Sequence, residues 1–210
     1  LNPGSFHCLG VDKIYLENQS TTNNYGILNN NTIDAYLMIL EDYFKRNENN
    51  TIYIVSTQFF NAVSSINYPD QSDAAKLDEI LKTESLPNSK IFIPMHLTFH
   101  WVCVIVDFNG NHIHYYDSLK HSKGQAQNVT KGIIAWFAKR NVNLTLQIPP
   151  NIPKQPNGYD CGIYMLMFME LVMHGIPIPT QLKDSQTKSF RAKMYVSLHK
   201  GIYYERMNAL

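Results

Sequence analysis

The sequence predicts a single α+β domain, and three observations lead to that prediction. The patterns along the chain run from helices to a cluster of strands and back to helices, an order that favours one α+β domain. The central segment 100–108 is apolar on both faces, as expected of a strand that is covered on both sides. The chain has 210 residues, of which 44% are hydrophobic, which suits one domain with a sizeable core.

The first third of the chain is predicted to be mainly helical. Asn30 or Asn31 can cap a helix, and Asp34 near its start suits the positive end of the helix dipole. The apolar residues that repeat with helical spacing are Ile33, Tyr36, Leu37, Leu40 and Phe44. A short β-rich segment and two further helices follow at 51–55, 57–66 and 72–84.

The centre of the chain carries three strand signals. They lie at 90–93, 100–108 and 112–116. Asn109-Gly110 joins the last two and suits a tight hairpin, because both turn positions tolerate positive φ. Side chains alternate along the middle strand, with Val102, Val104 and Val106 on one face and Cys103, Ile105 and Asp107 on the other.

The last third returns to helices around one more strand. The predicted segments are a helix at 124–140, a strand at 144–148, a loop at 149–160 and helices at 161–174 and 186–206. The first of these helices is amphipathic, with Ile133, Trp136 and Phe137 on one face. The loop contains four prolines, and Gly175 and Pro177 end the helix that follows it.

Composition and charge exclude several kinds of function. The net charge of +1 argues against a general binder of nucleic-acid backbones, and no apolar run is long enough to cross a bilayer. The three cysteines form no CxxC pair, so neither a disulfide framework nor a zinc site is indicated. We expect reduced thiols, no metal and no cofactor. The chain begins with Leu and shows no signal peptide, so we expect it to be a fragment of a longer protein.

Cys161 stands where the proline-rich loop meets an apolar helix. A thiol at a helix N-terminus lies at the positive end of the dipole, which favours the thiolate form. Gly162 beside it permits the close approach of another backbone or of a substrate. The same pattern also fits a small buried core residue at a helix start, because free cysteines are often buried.

His100 and Asp117 are candidates for the base and the orienting group that a thiolate nucleophile needs. His100 begins the central strand and Asp117 ends its neighbour, so the two residues flank one hairpin. Such ends meet at the same rim of an antiparallel pair, where an imidazole and a carboxylate can hydrogen-bond. Both residues also fit ordinary polar strand ends, and this pair alone does not decide between the two interpretations.

Three motifs in this order and spacing resemble those of the ubiquitin-like-protein-specific cysteine proteases, also called sentrin-specific or SUMO proteases (clan CE). They are His100-Trp101, Tyr115-Tyr116-Asp117-Ser118 and Gln155-Pro-Asn-Gly158-Tyr-Asp160-Cys161-Gly162. Weaker matches at Leu28-Asn29 and Phe190-Arg191 extend the resemblance from about residue 25 to the end of the chain. The run around the cysteine is the most specific of these signals.

The resemblance implies a role for each matched residue. Cys161 corresponds to the nucleophile, His100 to the base and later acid, and Asp117 to the orienting group. Gln155 and the Cys161 backbone N–H correspond to donors of the oxyanion hole, where such a donor is worth roughly 2.7–4 kcal/mol.

The resemblance also implies a narrow tunnel that admits only Gly-Gly beneath a tryptophan. The substrate contacts implied in this way are Trp101, Ile27, Asn29, His96, Gly158 and Gly162. Ile27 stands where the family commonly has a second tunnel tryptophan, and Asn30 stands where it commonly has an acidic residue.

The implied fold is a papain-like α+β fold with a central mixed sheet flanked by helices. Residues 1–24 are then a lead-in segment, and 25–210 form one catalytic domain. The implied function is a thiol protease that cleaves after the C-terminal Gly-Gly of SUMO, in deconjugation, precursor maturation or both. The alternatives are a deubiquitinase or deneddylase of the same clan, a related effector acetyltransferase that uses acetyl-CoA, and an inactive modifier-binding protein. All catalytic positions are filled, which favours an active enzyme.

The expected partners are SUMO and its conjugates, without nucleic acid or a membrane segment. We expect a monomer in a reducing intracellular compartment, either the nucleus or the cytoplasm, or the host cell if the protein is a pathogen effector.

Overall fold

The computed structural model describes residues 27–47, 52–64, 72–83, 86, 88–119 and 123–204. Cys8 and the lead-in segment expected at 1–24 lie outside the described residues. Within them, no helix combines the length and the apolar character that crossing a membrane requires.

Helices and strands follow the predicted order. The helices are α1 (Asn30–Asn47), α2 (Phe59–Ser64), α3 (Ser72–Thr83), α4 (Lys123–Ala138), α5 (Cys161–Met173) and α6 (Asp184–Lys200). The strands are β1 (Ile52–Ile54), β2 (Lys90–Leu97), β3 (His100–Asp107), β4 (His112–Tyr116) and β5 (Thr145–Gln147).

The strands form one mixed sheet in the order β1-β2-β3-β4-β5. The pairs β2/β3 and β3/β4 are antiparallel, whereas β1/β2 and β4/β5 are parallel. The predicted α+β class with a central mixed sheet is therefore confirmed. β3 is the central strand, and its two ends place His100 at one rim of the sheet and Asp107 at the other.

Two apolar cores lie on opposite faces of this sheet. One core joins Cys103 and Ile105 of β3 to residues of α1, α5 and α6. The other joins the three valines of β3 to residues of α2, α3 and α4. The alternation predicted for β3 is confirmed, because its two sets of side chains enter different cores.

The N-terminus of α1 differs from the prediction. Asn29, not Asn30 or Asn31, caps the helix, since its Oδ1 accepts the Thr32 N–H at 2.8 Å. Asp34 does not lie in the first turn at the dipole. Its carboxylate instead accepts the Thr57 N–H and hydroxyl, both at 2.8 Å, which fastens α1 to the segment after β1.

The turn at Asn109-Gly110 and the length of β2 depart from the sequence prediction. Asp107 pairs with His112, so the second turn spans residues 108–111. The residue with positive φ there is Asn111 (φ 50°), whereas Asn109 and Gly110 do not adopt positive φ. β2 extends to Leu97, which pairs with His100 across a turn whose second residue, Phe99, has φ 57° and is 81% exposed.

The last helix ends earlier than predicted, at Lys200, because Gly201 adopts the left-handed conformation with φ 66°. The chain then turns back, and the Tyr203 hydroxyl donates to Glu170 of α5 at 2.9 Å. Glu170 is fully buried and also accepts hydrogen bonds from Tyr36 of α1 and Lys193 of α6. This group of Tyr36, Glu170, Lys193 and Tyr203, the Glu170 cluster, links three helices inside an otherwise apolar core.

Candidate active site

His100 lies at the start of β3, with 7% of its surface exposed. Its Nε2 is 2.7 Å from Asp117 Oδ1, and its ring also hydrogen-bonds Cys161. Because Nε2 is hydrogen-bonded to Asp117, Nδ1 is the ring nitrogen left to hydrogen-bond the thiol. One imidazole thus joins a carboxylate on one side to a sulfur on the other.

Asp117 follows β4 directly and is 4% exposed. Besides His100, it accepts the Tyr115 hydroxyl at 2.9 Å and the Leu119 backbone N–H at 2.8 Å. These two donors fix the carboxylate in the plane it presents to the imidazole. Tyr115 belongs to the motif identified in the sequence, but nothing in the motif indicated this contact.

Cys161 is the first residue of α5 and is 1% exposed. Burial alone would raise the pKa of its thiol. Hydrogen bonds from His100 and from the backbone N–H groups of Trp101 and Gly162, together with the charge of His100, outweigh burial and lower that pKa below its usual value.

The pKa of His100 moves in the opposite direction. Burial alone would lower it, but hydrogen bonds to Asp117 and Cys161 and the charges of both groups raise it to about 9. A pKa of about 9 keeps His100 protonated at neutral pH, and the lowered pKa of Cys161 favours its thiolate form. The site is thus arranged to hold a thiolate–imidazolium pair.

Gln155 lies on the loop before α5 and is 8% exposed. Its Oε1 accepts the Ser118 hydroxyl at 2.5 Å, and its Nε2 donates to the Asn157 carbonyl at 2.6 Å. Both ends of the amide are therefore held, and Ser118 places Gln155 directly beside the turn that carries Asp117.

Asp160, the residue before Cys161, is a functional neighbour that the sequence analysis did not single out. Its carboxylate binds Arg191 of α6 at 2.5 Å and accepts the Asn157 amide at 2.7 Å. Both members of the ion pair are buried. Asp160 was part of the quoted motif around Cys161, and Arg191 was part of the weak match at Phe190-Arg191, but neither signal indicated this contact.

Trp101 is 1% exposed and lies next to His100 on β3. Its indole N–H donates to the Leu28 carbonyl at 2.8 Å. The exposed His96 of β2 packs over the indole, with ring centroids 4.5 Å apart. Ile27, which is 40% exposed, precedes the residue that the indole binds.

The remaining predicted contacts have distinct surroundings. Asn29 is exposed and caps α1. Gly158 is exposed, and a Cβ added there would meet nothing within 4 Å. Gly162 is buried, and a Cβ added there would meet the Leu28 side chain at 3.2 Å. The group that packs closely against Gly162 is therefore Leu28, whose carbonyl accepts the Trp101 indole N–H. Among the described residues, no group of three His, Cys, Asp or Glu side chains is arranged to hold a metal ion.

The chain is similar in sequence and in fold to known proteases. The chain is 27% identical over 187 residues to sentrin-specific protease 2 of Homo sapiens, an alignment that covers 83% of this chain and 30% of that protein. The chain therefore spans about a third of the length of this curated relative.

Two solved structures share the fold. The C-terminal Ulp1 protease domain in complex with Smt3, the yeast ortholog of SUMO, aligns with a TM-score of 0.67 and 20% identity, over 95% of this chain and 96% of that one. The Xanthomonas campestris effector protein XopD bound to ubiquitin aligns with a TM-score of 0.59 and 19% identity, over 80% of this chain and 90% of that one. The sequence profile of the Ulp1 protease family, C-terminal catalytic domain, matches residues 26–202. The chain belongs to the Ulp1 protease family.

Proposed function

We propose that residues 25–210 form a thiol protease domain that cleaves after the C-terminal Gly-Gly of a ubiquitin-like modifier, and that this modifier is SUMO. The observation that carries the proposal is the imidazole of His100, which hydrogen-bonds both Asp117 and the thiol at the first residue of α5. Family membership and the likeness to a Ulp1 domain bound to Smt3 support the choice of substrate.

In the first step, the Cys161 thiolate attacks the carbonyl carbon of the terminal glycine. A C–S bond forms, and the carbonyl π electrons move to the oxygen. The Cys161 backbone N–H and the second N–H of Gln155 Nε2 donate to this oxyanion, because the other Nε2 proton is given to Asn157. A fixed neutral amide stabilises the new charge without placing another charge in a buried site.

In the second step, the C–N bond breaks and His100 gives its proton to the leaving amine. The amine is a lysine side chain of a conjugate or the N-terminus of a precursor tail. His100 then removes a proton from water, which hydrolyses the thioester and releases the modifier with a free carboxylate. Asp117 holds the imidazole and stabilises its charged form throughout.

The proposed substrate channel lies between Trp101 and the Ile27–Asn29 segment, with His96 at its side and Gly158 and Gly162 near the nucleophile. An indole held by Leu28 and flanked by His96 offers a flat surface that suits a peptide without side chains. We expect Trp101→Ala to reduce cleavage of a Gly-Gly substrate nearly as much as loss of a catalytic residue, and Ile27→Ala to reduce it less. Kinetics on SUMO fusions that end in Gly-Gly or Ala-Gly will test this, and equal cleavage of both ends would contradict the channel.

A panel of modifier probes tests the function itself. SUMO, ubiquitin and a Nedd-type protein, each with a C-terminal electrophile, would be reacted with the chain and with Cys161→Ala. We expect the SUMO probe to label the chain and none to label the variant. Preferred labelling by ubiquitin would support the second candidate, a deubiquitinase, which the fold shared with ubiquitin-bound XopD favours. No labelling, together with acetyl transfer from acetyl-CoA, would indicate the acetyltransferase alternative instead.

We propose that the domain acts inside cells, in the nucleus or the cytoplasm, because its sparse cysteines form no disulfide framework and Cys103 and Cys161 are free thiols.

A further inference from the structure

The turn after β4 and the loop before α5 are joined by hydrogen bonds that take no part in the proposed reaction. Gln155 N–H donates to the Ser118 carbonyl at 3.0 Å, and the Ser118 hydroxyl donates to Gln155 Oε1 at 2.5 Å. The Lys154 ammonium donates to the carbonyls of Asp117 and Leu119 at 2.8 and 3.0 Å. Asp117 and Gln155 are thus fixed to each other by their neighbours.

The contacts of Gln155 with Ser118 and Asn157 together set the orientation of its amide. An amide can exchange its oxygen and nitrogen by rotation, and the hydrogen-bond partners select one orientation. The Asn157 carbonyl can only accept, so it selects the orientation in which Nε2 donates to it. The Ser118 hydroxyl then holds Oε1 in place, and the second N–H of Nε2 stays available. Ser118 is 2% exposed, so water cannot replace it easily.

We propose that Ser118 is a positioning residue that fixes the position of the Gln155 amide relative to the His100–Asp117 pair. The proposal rests on the protease function proposed above, because it concerns the oxyanion that forms only during that reaction. Ser118 acts through Gln155 and touches no reacting atom.

Steady-state kinetics of Ser118→Ala on SUMO-aminomethylcoumarin test the proposal. We expect kcat to fall about tenfold with little change in KM, because the lost contact matters only after attack. Ser118→Thr keeps the hydroxyl and should recover most of kcat. Alkylation of Cys161 by iodoacetamide should stay unchanged, since that reaction forms no oxyanion. Ser197→Ala, which removes another buried hydroxyl on α6, is the control and should leave kcat unchanged.

The double variant Ser118→Ala with Gln155→Ala separates positioning from general damage. If Ser118 acts through Gln155, the double variant should be no slower than Gln155→Ala alone. Additive losses, or a parallel fall in Cys161 alkylation, would overturn the proposal. If the wild-type chain is alkylated at Cys161 but cleaves no SUMO substrate, the proposed function fails instead.

A second, independent observation concerns Phe99 at the tip of the β2/β3 turn. Its side chain is 81% exposed, and its φ of 57° lies in the left-handed region that strains residues other than Gly, Asn or Asp. Neither burial nor turn geometry therefore explains a phenylalanine here. It immediately precedes His100, the group that gives its proton to the leaving amine.

We infer that Phe99 is an apolar contact for the protein on the leaving-group side of the cleaved bond. This inference also rests on the proposed protease, in which His100 must face the leaving nitrogen. A residue next to His100 at an exposed turn can then touch the protein that carries that nitrogen. The partner is the modified target protein, not the modifier.

Phe99→Asn tests this with two readouts that should move in opposite directions. Asn accepts positive φ, so the melting temperature should rise by a few degrees. Cleavage of a SUMO–protein conjugate should slow about three- to tenfold in kcat/KM, whereas SUMO-aminomethylcoumarin, which has no protein leaving group, should be cleaved at the wild-type rate. Ile202→Asn, at an apolar residue that is 57% exposed, is the control and should change neither rate. Equal effects on both substrates, or none, would overturn the inference. If the wild-type chain cleaves neither substrate, the proposed function itself fails.

Discussion

Cys103 and Cys161 are both buried in the same apolar core, at 0% and 1% exposure, yet their surroundings give the two thiols opposite properties. Cys103 lies in mid-strand, and its thiol donates to the Met165 carbonyl at 4.0 Å. Burial, together with the charge of Asp117, raises the pKa of its thiol well above the usual value. Cys161 has an imidazole and two backbone N–H groups around its sulfur, and its pKa is lowered.

This difference shows that burial does not decide whether a cysteine is reactive. An acceptor such as a carbonyl stabilises only the protonated thiol, whereas donors stabilise the thiolate. One of these donors, the Gly162 N–H, comes from the start of a helix, where the first N–H groups have no partner within the helix. The other, the Trp101 N–H, comes from the beginning of β3. The middle of a strand offers none, because its N–H groups are used in the sheet.

Removing each sulfur should produce the largest contrast. Cys161→Ala should lower kcat by at least about 10⁴-fold, because no other group can attack. Cys103→Ala should keep the wild-type kcat and lower the free energy of unfolding by about 1–2 kcal/mol, through the small cavity it leaves. Cleavage kinetics and urea denaturation measure the two effects. Loss of activity in a folded Cys103→Ala protein would show that the assignment of the nucleophile is wrong.

Asp117→Ala should lower kcat by roughly 10²- to 10⁴-fold, because the imidazole loses its orientation and its counter-charge. The pKa of His100, about 9 in the wild type, should fall, since the hydrogen bond and charge of Asp117 raise it. NMR titration of the His100 ring measures that change. A double variant with His100→Ala should be little slower than His100→Ala alone, and additive losses would mean that the two residues do not cooperate.

The pH dependence of kcat/KM should report the thiolate–imidazolium pair. The active form requires Cys161 deprotonated and His100 protonated, so activity should fall at low pH as the thiolate gains a proton. It should fall again above about pH 9, roughly tenfold per pH unit, as His100 loses its proton.

In a Cys8→Ser background, iodoacetamide at neutral pH should modify Cys161 and leave Cys103 intact. Modification of both thiols at similar rates would contradict the contrast between them.

Arg191→Gln should have a smaller effect, of about tenfold or less on kcat/KM. The change leaves the buried Asp160 carboxylate without its cation one residue from Cys161, and a nearby negative charge disfavours the thiolate. The pKa of Cys161 should therefore rise, and its alkylation profile should move to higher pH. The control is Lys188→Gln on the same helix, whose pair with Asp184 is largely exposed. An unchanged profile with only a lower melting temperature would limit Arg191 to a structural role.

The sequence predicted the order of elements and the alternation of β3 because both follow from the hydrophobic pattern. The prediction failed at the ends of helices and strands, where single hydrogen bonds decide which residue begins or ends the element. Asn29 was passed over as the cap because three further candidates of similar chemistry follow it, Asn30, Asn31 and Thr32. The hairpin was predicted at the right place, but its loop has four residues instead of two, because the choice between turn lengths depends on strand register, which is a non-local property.

In the candidate site, too, local features could be predicted and contacts between distant residues could not. Hairpin geometry and a helix start, which are local features, made His100, Asp117 and Cys161 candidates, and the resemblance to a protease family then implied their roles. The contacts of Ser118 with Gln155 and of Asp160 with Arg191 join residues 37 and 31 positions apart. Only the assembled sheet and helices bring such pairs together, so no spacing rule could have indicated them.

The Glu170 cluster constrains how this sequence can change over generations. Replacing Glu170 alone leaves the Lys193 ammonium buried without its counter-charge, at a cost of about 3–5 kcal/mol, whereas exchanging both for apolar residues of similar volume is often close to neutral. A sequence that replaces the charged pair one residue at a time thus passes through a single variant that is poorly folded. Residues 170 and 193 should consequently be inherited as a unit, with lineages that have lost one of them having lost the other as well.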